Sequence, residues 1–129
     1  MANNTVISIV DDDESVREAV TGLMRSFGFS AMAFPSGESF LRSRRRRGTA
    51  CLIADVQMPG MTGLELHHRL VTSGSPIPTI LITAYVDEKV RAQALKAGVA
   101  CYLPKPIDES KLLACIHSAL GDQKTDTTE

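Results

Sequence analysis

The feature that most constrains this chain is an alternation repeated five times: a short apolar run, then a stretch with apolar residues at helical spacing. "TVISIV" (residues 5–10) is short and rich in β-branched residues. "ESVREAVTGLMRSFG" follows, with Val16, Ala19, Val20, Leu23, Met24 and Phe27 on one helical face and Gly28 suited to a left-handed C-terminal cap. "FSAMAF" is a weaker strand, followed by the short helix "SGESFLRSRRR", which Ser36 can cap. "ACLIAD" precedes the helix "GLELHHRLVTSG", closed at Gly74. "PTILIT" precedes "DEKVRAQALKAG", and "ACYLP" precedes "DESKLLACIHSALG", with Asp108 as N-cap.

Five strand–helix units in one chain of 129 residues predict a parallel sheet with helices on both faces. Strands one, three and four are apolar almost throughout, as strands covered on both faces must be. Right-handed crossovers leave few ways to connect them. The common solution for five strands is the order 2-1-3-4-5, a doubly wound α/β (βα)5 flavodoxin-like three-layer sandwich. Residues 1–121 form this domain, and the polar stretch 122–129 reads as a disordered tail or the start of a linker.

Parallel order puts the carboxyl ends of all strands on one edge, where such sheets bind ligands at the point of strand reversal. Strand one ends in Asp11, Asp12 and Asp13, strand three in Asp55, strand four in Thr83, and strand five leads to Lys105. Strands one and three are neighbours at the reversal, so Asp11, Asp12 and Asp55 should converge. Two carboxylates about 4 Å apart repel by about 4 kcal/mol at an effective dielectric near 20. Either one holds a proton or a cation sits between them. An all-oxygen donor set suits a hard divalent ion such as Mg2+, and the lack of Cys or His at these ends argues against zinc. Asp13 alone reads better as the cap of the first helix.

Four segments, "IVDDDESVR", "IADVQMPGMTG", "ILITAY" and "CYLPKPID", in this order and spacing, resemble the receiver domains of bacterial two-component response regulators. That is the CheY-like superfamily, and the pattern is most similar to FixJ-type receivers over about residues 6–120. The resemblance implies that Asp55 accepts a phosphoryl group from a sensor histidine kinase. It implies that Asp12 and Asp11 hold Mg2+ (or Mn2+) together with Asp55 and the backbone carbonyl of Gln57. Thr83 matches the hydroxyl that moves toward the phosphoryl group, Tyr102 the switching aromatic, and Lys105 the lysine that pairs with the phosphoryl oxygens. Relatives usually carry a cis peptide at the position of Lys105–Pro106. The resemblance further implies a homodimer on activation, and a downstream protein partner or a DNA-binding output domain outside this chain.

The chain departs from the pattern twice: Pro104 precedes the lysine, and Ile107 stands where many relatives have phenylalanine. Pro104 removes a strand N–H, which an edge strand tolerates. It should stiffen the loop and alter the coupling of Lys105 to the helix that follows.

Other readings fare less well. An aspartate-nucleophile phosphatase of the haloacid-dehalogenase kind places a second Asp two residues past the nucleophile, and here that residue is Gln57. A flavin binder would need a Ser/Thr/Gly phosphate loop, and "DDDES" carries the wrong charge. The domain is therefore expected to be a signalling module and not an enzyme. A net charge of −1 gives no drive toward nucleic acid or anionic membrane. The run "RSRRRRG" (residues 42–48) has no interleaved aromatics and sits at a helix end, so it reads as a solvated face, with no direct nucleic-acid binding. His67 and His68, adjacent on one helix, must point to different faces. No apolar run approaches a membrane span and no signal core follows the start, so a cytoplasmic protein is expected. The three cysteines, Cys51, Cys101 and Cys115, contain no CxxC pair and are expected as buried reduced thiols.

Overall fold

The structure, a computed structural model, describes residues 5–128, with side chains described through Gly121. Five strands, β1 (Val6–Val10), β2 (Ser30–Phe34), β3 (Thr49–Asp55), β4 (Thr79–Thr83) and β5 (Cys101–Pro104), alternate with five helices. The helices are α1 (Glu14–Ser26), α2 (Gly37–Arg42), α3 (Gly63–Thr72), α4 (Glu88–Lys96) and α5 (Glu109–Thr128). All pairings are parallel, and the order is β2-β1-β3-β4-β5, as the alternation predicts.

Period-two alternation along the strands divides the core into two layers. On one face Val10, Leu52, Ala54, Leu81 and Tyr102 pack with Phe40 of α2, Leu66 and Leu70 of α3, and Ala94 of α4. On the other, Ile7, Ile9, Ile53, Ile80 and Ile82 meet Val20 and Met24 of α1 and Leu112 and Ile116 of α5. Each fully buried aliphatic side chain stabilises the fold by about 1.5–3 kcal/mol. That double coverage explains why β3 and β4 read as unbroken apolar runs.

The helix starts follow local chemistry. Asp13 accepts from the Ser15 and Val16 N–H groups, Ser36 from Ser39, and Asp108 from Lys111. Thr62 and Glu65 form a reciprocal capping box at α3, with bonds of 3.1 and 2.9 Å. Gly28, Gly74 and Gly98 close α1, α3 and α4 at positive φ.

Three details differ from the sequence reading. The arginine run does not extend α2; Ser43 ends that helix and caps a separate 3-10 turn, Arg44–Gly48. The backbone of α5 runs through Gly121, which is not at positive φ, to Thr128. The side chains of the expected tail or linker beyond Gly121 lie outside the described residues. Finally, only Cys51 is a free thiol; Cys101 and Cys115 are joined as a disulfide, with a Cα–Cα distance of 6.3 Å. The packing of α5 beside the edge strand brings the pair together, and no local spacing announces it.

Candidate phosphoacceptor site

Strand register assembles the site. Val10 lies opposite Ala54, Asp55 opposite Ile82, and Thr83 opposite Pro104, so the residues that follow arrive level with one another. Three backbone bonds extend the ladder past the strand ends: Asp11 N–H to Phe34 carbonyl (3.1 Å), Val56 N–H to Ile82 carbonyl (2.8 Å), and Lys105 N–H to Thr83 carbonyl (2.8 Å). Carboxylate oxygens of Asp11, Asp12 and Asp55 come within 4.8 Å of one another. Asp11 and Asp55 are buried, whereas Asp12 is exposed at the rim.

Lys105 lies between the two buried acids. Its Nζ donates to Asp11 Oδ2 and Asp55 Oδ2, each at 3.2 Å. Burial works to lower the Lys105 pKa, but the hydrogen bond and charge of Asp11 and then those of Asp55 outweigh it, and the ammonium is held above its usual range. Asp55 moves the other way: burial raises its pKa first and the Asp11 charge adds to this. The Gln57 N–H bond (3.2 Å) and Lys105 offset only part of that rise. Asp55 is thus a carboxylate whose charge is under-compensated in the resting site, and added positive charge there would be favourable. The donor set is oxygen only, which fits a hard divalent cation.

The Asp55 loop is held by close packing. Gly63 begins α3 directly against β3: a Cβ there would collide with the Asp55 carbonyl oxygen and lie 2.9 Å from Leu81 Cδ2. Gly60 sits at φ +78°, a backbone state that glycine adopts without strain. The irregularity of the loop therefore serves the approach of α3 to the strand that carries Asp55.

Thr83 is buried at the end of β4, and its Oγ1 donates to the Tyr85 carbonyl (3.1 Å) while accepting from the Tyr85 N–H (3.0 Å). The Gln57 side-chain oxygen lies 3.4 Å from the same hydroxyl. The Tyr102 ring is buried, and its hydroxyl accepts from the Asp87 N–H (3.2 Å) at the start of α4. Tyr85 and Val86 between them are exposed. The Lys105–Pro106 peptide is cis.

Two contacts were not legible in the sequence. Arg17 donates to the Asp11 carbonyl (2.7 Å), and the Asp13 N–H donates to Asp11 Oδ1 (2.9 Å), together orienting the innermost acid. The spacing of Arg17 six residues after Asp11 was the available signal, one helical turn past the cap. His67 and His68 do point apart: His67 is buried, with its pKa lowered by burial and then by His68, and His68 is exposed. Neither belongs to the site.

The response regulator receiver domain family model matches residues 7–117 of this chain. The chain belongs to that family. It is 41% identical over 116 residues to the response regulator protein TodT of Pseudomonas putida, covering 90% of this chain and 51% of TodT. It is 33% identical over 114 residues to the transcriptional regulatory protein FixJ of Bradyrhizobium diazoefficiens, covering 88% and 56%. The solved structure of the response regulator StyR superposes with a TM-score of 0.84 at 38% identity, covering 97% of this chain and 66% of that one. The receiver spans about half the length of the curated relatives it matches. Among the described residues, no helix is long and apolar enough to cross a membrane.

Proposed function

We propose that this receiver is a phosphorylation switch in which Asp55 takes a phosphoryl group from the phosphohistidine of a sensor histidine kinase. The observation that carries the reading is the Asp55 carboxylate, buried, under-compensated and bonded to Lys105 beside Asp11 and Asp12. One Oδ atom of Asp55 attacks phosphorus, the P–N bond breaks, and its electron pair leaves with the imidazole nitrogen. Phosphoryl transfer asks for positioning and charge neutralisation more than for a strong nucleophile, and a rigid strand end supplies the first. Asp11, Asp12, Asp55 and the Gln57 backbone carbonyl would hold Mg2+ or Mn2+, which supplies neutralising charge for the phosphoryl oxygens. Lys105, already between the carboxylates, supplies a further positive charge from the protein itself.

The added charge biases the neighbouring loop. A phosphoryl oxygen competes with the Tyr85 carbonyl for the Thr83 hydroxyl, releasing the 84–87 loop that Tyr102 holds through the Asp87 N–H. That couples Asp55 to the surface of α4 and β5, where a partner or a second copy on activation would read the change. The reading places the protein in the cytoplasm, with no direct nucleic-acid contact by this domain. Because the chain spans only half of TodT and FixJ, a second form of the reading follows. The receiver would then be the regulatory portion of a FixJ-type DNA-binding regulator. Gln57, which cannot act as a general acid, keeps the phosphatase alternative weak.

The test is incubation with acetyl phosphate and Mg2+, followed by intact-mass and peptide analysis. One acid-stable, base-labile phosphoryl group should appear on Asp55 and be lost in Asp55→Asn and with EDTA. Labelling that survives both changes overturns the reading. Turnover of small phosphate esters through many cycles would favour the phosphatase.

A further inference from the structure

The three cysteines are in two distinct states. Cys51 is fully buried in β3, and burial pushes its thiol up to about 12, so it neither ionises nor meets reagents at neutral pH. Cys101 and Cys115 are each half-buried and paired across 14 residues. Their Cα–Cα distance of 6.3 Å falls within the range a disulfide spans without moving the backbone.

Their position gives the pair a consequence. Cys101 packs in the layer shared with α5, while its neighbour Tyr102 packs in the opposite layer. Leu112 and Ile116 anchor α5 on the central strands, and Cys115, beside Ile116, reaches the edge strand. Strand β5 is hydrogen-bonded on one side only, to β4, and carries Tyr102 and leads into Lys105. The bridge is therefore a covalent tie on an edge strand of the sheet.

We propose that Cys101 and Cys115 form a reversible thiol–disulfide latch, set by a small-molecule thiol/disulfide couple of the glutathione class, that fixes β5 against α5. In the closing direction, one cysteine thiolate attacks the small disulfide, its S–S bond breaks, and one small thiolate leaves. The second cysteine thiolate attacks the protein sulfur of that mixed disulfide and expels the second small thiolate. The two cysteine protons end on the two released thiols, the protein loses two electrons and the small disulfide gains them. Opening is the reverse. Any effect of the latch on switching at Tyr102 rests on the function proposed above; the latch itself does not.

The protein equilibrated in glutathione buffers stepped from fully reduced to fully oxidised, then acid-quenched, alkylated and weighed, tests this directly. Cys101 and Cys115 should lose alkylation together at a midpoint inside the series, with Cys51, a free thiol shielded by the fold until the acid quench, alkylated at every step. Cys115→Ser should leave Cys101 as a mixed disulfide with glutathione. A pair that stays reduced, or stays oxidised, across the whole series overturns the latch, as does independent titration of the two thiols. Hydrogen exchange on unphosphorylated wild-type protein supplies a second readout that needs no variant. The amides of residues 101–103 should exchange about tenfold more slowly in the oxidised form, and equal rates would overturn the proposal. Neither measurement uses a phosphoryl donor. Failure of phosphoryl labelling in both redox states would count against the switch alone.

Discussion

The two ends of the sheet are made by the same strands and carry opposite charge in opposite ways. At the carboxyl-terminal edge, Asp11 and Asp55 are buried, share one lysine and hold backbone N–H groups at 2.9 and 3.2 Å. At the amino-terminal edge, ahead of β3, Arg42, Arg44, Arg45 and Arg47 are exposed, and no ion pair is formed by any of them among the described residues. The arginine run is the denser charge in the sequence, and the acids are the more consequential charge in the fold. Desolvation explains the difference. A charge in water costs little and gains little, whereas a buried carboxylate must be compensated or displaced.

That contrast can be broken by substitution, beginning where the packing is tightest. Gly63→Ala drives a Cβ into the Asp55 carbonyl and should cost about 3 kcal/mol or more by urea unfolding. A cost below about 1 kcal/mol would mean that the site edge is as yielding as the arginine edge. Lys105→Met removes the one cation shared by Asp11 and Asp55 and should destabilise the protein by about 2 kcal/mol at pH 7.

The third prediction has the opposite sign. The Asp55 pKa is raised in the folded protein, so its ionised form costs stability above the folded pKa and costs nothing below the ordinary value of 3.8. Asp55→Asn should therefore raise the melting temperature at pH 7, by the equivalent of about 1 kcal/mol, the scale of a single such contact. The gain should shrink as pH falls through that window. A gain that persists unchanged at pH 3 would show that charge is not its source. Smallest of all, Arg44→Gln, Arg45→Gln and Arg47→Gln should each change stability by no more than about 0.5 kcal/mol in thermal melts. A larger loss at any of them would give the arginine edge a structural role that its exposure denies.

Much of this was readable in one dimension because it depends on local rules. Runs such as "CLIAD" and "TILIT" are apolar on both faces, as a parallel strand covered on both sides is, and right-handed crossovers then leave few strand orders, of which 2-1-3-4-5 is the common one. Asp13, Ser36 and Asp108 cap helices because a short polar side chain can reach a free N–H two or three residues on. The convergence of Asp11, Asp12 and Asp55 followed from topology as soon as β1 and β3 were neighbours. Other features were hidden. Nothing in "DDDES" distinguishes buried Asp11 from exposed Asp12; in the fold Asp11 continues the ladder beside Phe34 and its carboxylate meets Lys105. Gln57 was read for its carbonyl, yet its side chain also lies within reach of Thr83.

The sequence by itself determined the layers and the edge on which the acids collect, and narrowed the strand order to a few, since periodicity and crossover hand are properties of neighbours along the chain. Only the tertiary structure decided which acid is buried, that Lys105 is shared between two carboxylates, and that Cys101 meets Cys115. Those are relations between residues 14 to 94 positions apart. They depend on how α5 and the β5 edge settle against the sheet, and packing of that kind leaves no periodic mark on the chain.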